Sequence, residues 1–80
     1  MIKDFEDLYT AGSDKEIAVL KKIDAEIIVR AYMGTSPDNA TWLEKNLSEI
    51  DFNGIRERLG RQPIADIDAA QNYIIETINA

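Results

Sequence analysis

The chain contains no cysteine and no histidine, and only two prolines and four glycines among its 80 residues. Without cysteine there is neither a disulfide nor a thiolate metal site, which excludes a stapled secreted scaffold. Without histidine the usual general base and the commonest neutral metal ligand are both missing. The serines Ser13, Ser36 and Ser48 therefore have no imidazole to activate them. The glycines stand singly, so there is no glycine-rich phosphate loop. No run approaches the roughly 20 apolar residues of a membrane span. The opening "MIKDFEDLYT" carries acids where a secretion signal needs basic and then apolar residues. These absences lead us to expect a soluble, cytoplasmic, non-enzymatic protein with no metal and no cofactor.

Positive charge is also scarce. Nine Lys and Arg face fifteen Asp and Glu, for a net charge of −6. That sign disfavours phosphate backbones and anionic membranes as partners. The acids are dispersed, which reads as a solvated acidic surface. A chain this short forms a single domain over residues 1–80.

The apolar residues that are present recur at helical spacing. Ile2, Phe5 and Leu8 mark one face of a short first helix that stops at Gly12. Ser13 and Glu16 have the spacing of a capping box, and Ile17, Leu20, Ile23, Ile27 and Ala31 follow at three and four. This pattern predicts one long second helix ending at a left-handed Gly34. Ser36, Pro37 and Asp38 open a third helix along Ala40, Leu43, Leu47 and Ile50. A fourth spans about Asp51 to Leu59 and ends at Gly60. A fifth starts between Pro63 and Asp66 and presents Ile64, Ile67, Ile74 and Ile78 on one face. The β-branched "IAVL" and "EIIVRAYM" admit a hairpin turning at Ile23-Asp24, but its link has no Gly or Pro. The expected fold is all-α, a compact bundle of four or five short helices.

Arg30 lies inside the most apolar stretch, "AEIIVRAYMG". On a continuous helix it falls four residues after Glu26, which is four after Lys22, so it reads as a rung of a polar surface stripe. Val19, Val29 and Met33 lie across that helix from Leu20 and Ile27. Either the other helices wrap this one completely, or these side chains meet another molecule. Val19, Glu26, Val29, Arg30, Met33 and Trp42 are accordingly the candidate partner-binding residues, with Glu26 and Arg30 at the rim of a homodimer contact and Trp42 at a groove edge.

Other features carry less. Asp66 and Asp68 lack the remaining ligands of a calcium loop and suit a helix start. Asn39-Ala40-Thr41 matches a glycosylation pattern, but nothing routes the chain to secretion. "GIRERLGRQP" gathers Arg56, Arg58 and Arg61; it reads as a salt-bridged helix end or as a contact for an acidic protein patch, with direct nucleic-acid binding disfavoured. The closing "PIADIDAAQNYIIETINA" resembles the last segment of acyl carrier proteins. Those proteins need Asp-Ser-Leu at a helix start, where this chain has Asp51-Phe52-Asn53, so the identification is rejected.

The sequence thus points to binding of another protein, as an adaptor or regulator that self-associates or presents an apolar helix face. The alternative is an acidic inhibitor of a nucleic-acid-handling machine, a phage-type anti-defence protein occupying a basic groove.

Overall fold

A short 3-10 turn at Phe5–Asp7 runs directly into the first of six α-helices in the computed structural model, which describes residues 2–80. The helices are α1 (Leu8–Ala11), α2 (Asp14–Leu20), α3 (Ala25–Tyr32), α4 (Pro37–Asn46), α5 (Phe52–Leu59) and α6 (Ile64–Asn79). There is no strand among the described residues. The all-α expectation holds, with more helices than the four or five expected. The radius of gyration is 11.4 Å, close to the value of about 12 Å for a folded chain of this length.

The extra helix comes from a break in the long second helix. Lys22 and Ile23 donate to the carbonyls of Val19 and Leu20 at 3.0 and 3.1 Å, tightening the end of α2 into a 3-10 turn. Asp24 then starts α3, its carboxylate accepting the Glu26 N–H at 2.8 Å. The break falls where a hairpin would have turned, but both arms are helical. It also resets the helical phase. The face of Leu20, Ile23, Ile27 and Ala31 is not continuous; α3 instead buries Ile28, Val29 and Ala31. Gly34 is not left-handed, and Gly60, with φ of 68°, is the positive-φ residue among those described. Gly34 answers a different demand, since a Cβ there would stand 2.4 Å from the Ile67 Cγ2 methyl on α6.

The other starts follow the sequence. The Glu16 carboxylate accepts the Ser13 N–H at 2.8 Å, Ser36 Oγ accepts the Asn39 N–H at 3.3 Å, and Asp51 accepts the Gly54 N–H at 3.1 Å. Helix α3 packs mainly on α6 and α5, α2 lies on α6, and α1 lies on α4. Leu8, Leu20, Ile28, Val29, Leu43, Leu47 and Ile74 are wholly buried among them. A buried side chain of this size contributes about 1.5–3 kcal/mol, so these contacts hold the bundle together without a disulfide. Ile64 departs from the expected face and is 77% exposed. It lies in the first turn of α6, rotated roughly 80° from the buried centre of Ala70, Ile74 and Ile78 at 100° per residue.

The N-terminal segment is fastened by polar contacts that the apolar pattern does not reveal. Asn39 is fully buried. Its Nδ2 donates to the Phe5 carbonyl at 3.1 Å and to Thr35 Oγ1 at 2.8 Å, and its Oδ1 accepts the Tyr9 N–H at 3.0 Å. Thr35 in turn donates to the Glu6 carboxylate, which also accepts the Ser36 N–H at 2.8 Å. At the other end of the chain, Asn79 Nδ2 donates to the Ile2 carbonyl at 2.6 Å.

Candidate functional site

The six candidate residues separate in the structure. Val29 is wholly buried. It cannot touch a second copy, and the ground for a homodimer through this residue falls away. The reason is the break at Lys21–Asp24, which turns Val29 inward under the neighbouring helices. Val19 on α2 is half-buried against the same core. Trp42 is also half-buried, and its ring is packed so close to Gly12 that a Cβ there would lie 2.7 Å from Cζ2. Trp42 thus closes α4 against the α1–α2 link and lines neither groove described next.

Glu26, Arg30 and Met33 do come together, on the side of the molecule where α3, α5 and the start of α6 meet. The stripe of Lys22, Glu26 and Arg30 does not form, because Lys22 lies in the turn before α3. Glu26 instead pairs with Arg58 of α5 at 3.2 Å, both side chains remaining substantially exposed. An exposed pair of this kind contributes at most about 1 kcal/mol. Arg30 is half-buried and donates from Nε to Gln62 Oε1 at 3.0 Å. Gln62 Nε2 donates to the Leu59 carbonyl at 2.9 Å. These two bonds fix the α5–α6 connection over α3.

Gln62 stands between two open grooves. One, of about 850 Å³, is lined by Met33, Arg56, Glu57, Arg61, Gln62 and Ile67. The other, of about 310 Å³, is lined by Ile27, Arg30, Gln62, Asp66, Ala69, Ala70 and Tyr73. The first is charged and the second is mostly apolar. Tyr73 is half exposed at the edge of the second. Gln62 and Tyr73 were not legible as site residues, since neither belongs to a motif. The arginines were visible as a cluster, but the groove beside them depends on where α6 begins.

Near the first groove, Tyr32 packs against Phe52 in a tilted pair, with ring centroids 4.7 Å apart, and donates its hydroxyl to Glu44. Partial burial and that hydrogen bond hold its phenol in the neutral form, above its ordinary pKa. Asp66 and Asp68 are exposed on the first turns of α6. Among the described residues no group of three acidic side chains is placed to hold a metal ion. No helix among them is long and apolar enough to cross a membrane.

Compared with known protein families, curated proteins and solved structures, the chain has no significant match in any of the three.

Proposed function

We propose that this chain is a non-enzymatic protein-binding module, an adaptor or regulator, that engages its partner with the two grooves on either side of Gln62. The observation that carries this reading is the half-exposed Tyr73 beside an open groove floored by Ile27, Ala69 and Ala70. A half-exposed aromatic at an apolar groove offers a partner a large contact area with few side-chain torsions to freeze. The groove walls belong to packed helices and a hydrogen-bonded connection, so the surface is organised before binding, which lowers the ordering cost of association. Three of the six sequence candidates, Glu26, Arg30 and Met33, border this side of the molecule; Arg30 and Met33 line the grooves themselves.

Selection of a random peptide library on the full chain tests the reading. Peptides that bind the wild type and are lost on Tyr73→Ser, with the variant still helical by circular dichroism, are the expected result. Failure to enrich any peptide above a bare-surface control overturns it.

A further inference from the structure

All four arginines of the chain, Arg30, Arg56, Arg58 and Arg61, lie on or beside the α5–α6 side of the molecule. Two are occupied: Arg58 pairs with Glu26, and Arg30 donates to Gln62. Arg56 and Arg61 make no ion pair among the described residues; both are exposed and both line the larger groove. Residues 52–63 hold three arginines and one acid, a surplus of two positive charges in a chain of net charge −6. The rest of the molecule therefore carries −8.

From this distribution we infer that the partner is an acidic protein segment, whose carboxylates meet Arg56 and Arg61 while an adjoining apolar side chain enters the groove at Tyr73. The inference rests on the protein-binding reading and specifies the partner's chemistry. An acidic segment is repelled by most of this surface and attracted at one place. Screening at physiological ionic strength limits that attraction to about 8 Å, so it selects the groove rather than the whole molecule. The guanidinium fork matches a carboxylate in geometry as well as charge. Gln62 lines both grooves, so a single extended segment lying over it reaches both, its carboxylates on the arginine side and its apolar side chain on the side of Asp66 and Tyr73. A nucleic-acid backbone is a poorer match. Its affinity grows with the number of phosphates neutralised, and here two free arginines stand beside Glu57 in an otherwise acidic molecule.

The test uses the peptides selected on the full chain, measured by fluorescence anisotropy against the wild type, the double variant Arg56→Glu/Arg61→Glu, and Tyr73→Ser. Both arginines are exposed, so the double variant is expected to keep the wild-type circular dichroism. The selected sequences should be enriched in Asp and Glu next to an apolar residue. Their affinity should fall about tenfold or more in the double variant, as loss of close interfacial charge pairs does, and should weaken as salt rises. Selected peptides without acidic enrichment, or with unchanged affinity for the double variant, overturn the acidic partner. If those same peptides still depend on Tyr73, protein binding itself survives. A single-stranded oligothymidylate that binds the wild type as tightly as the peptides, and is lost in the double variant, overturns the inference in favour of nucleic acid.

Discussion

Arg30 Nε lies 3.0 Å from Gln62 Oε1, joining the apolar helix α3 to the loop that leads into α6. The arginine that looked out of place in the sequence thus holds a loop in position. Gln62→Ala removes this acceptor and also the bond to the Leu59 carbonyl. It should cost about 1–2 kcal/mol, since a hydrogen bond to a charged donor is worth about 1.5–3 kcal/mol and a neutral one about 1, discounted for partial exposure. Urea unfolding checks this, and an unchanged midpoint would show the bond to be incidental.

Val29 separates a core residue from an interface residue. Val29→Glu should leave the chain unfolded at every concentration, because the charge would be buried without a partner. Val29→Ala should fold but lose about 2 kcal/mol through lost burial and the cavity left behind. A folded, soluble Val29→Glu monomer would place Val29 at the surface and contradict the observed packing of α3.

Asn39 is the polar pin of the N-terminal segment. Asn39→Ala leaves the Tyr9 N–H without its acceptor, while the Phe5 carbonyl loses one of two donors and keeps the Leu8 N–H. An unsatisfied buried group costs about 1–3 kcal/mol, so a loss of about 1–3 kcal/mol is expected. Chemical denaturation reads the loss. Amide exchange at Tyr9 should rise by more than global unfolding accounts for.

Glu6 supplies a pH dependence. Partial burial pushes its carboxyl up, but the hydrogen bonds from Ser36 and Thr35 outweigh that and hold it below its ordinary value of 4.5. A carboxyl lowered by folding stabilises the folded state above its unfolded pKa. That contribution is lost as pH falls through the lower folded value. Glu6→Gln keeps an acceptor for the Ser36 N–H but does not titrate. Melting temperatures measured from pH 7 downwards should fall less steeply below 4.5 in the variant than in the wild type. Parallel curves would mean that Glu6 does not contribute.

Much of this fold is written at the helix starts. Ser13, Ser36 and Asp51 are short polar residues placed to cap, and the helices begin where they stand. The stop after Leu20 was not legible, because "KKID" carries no glycine or proline and the apolar spacing runs through it. One missed cap at Asp24 rotated every residue of α3 in the projection. It placed Val29 outside. Asn39 carries no local sign of its burial for a related reason: that burial depends on a segment thirty-four residues earlier, at Phe5. The grooves depend on three separate elements meeting, and no local pattern encodes that meeting. What the sequence did carry was the Arg56–Arg61 cluster, together with the acidity of everything around it.

Backbone amide shifts of the isotope-labelled chain, followed by NMR during titration with the tightest selected peptide, test the central claim most directly. The grooves around Gln62 predict the largest changes at Arg56 to Gln62, at Ile27 and Arg30, and at Ala69 to Tyr73, with Gly12 and Trp42 unmoved. Changes centred on Gly12, Trp42 and the α1–α4 contact, with the Gln62 region silent at saturation, would contradict the account.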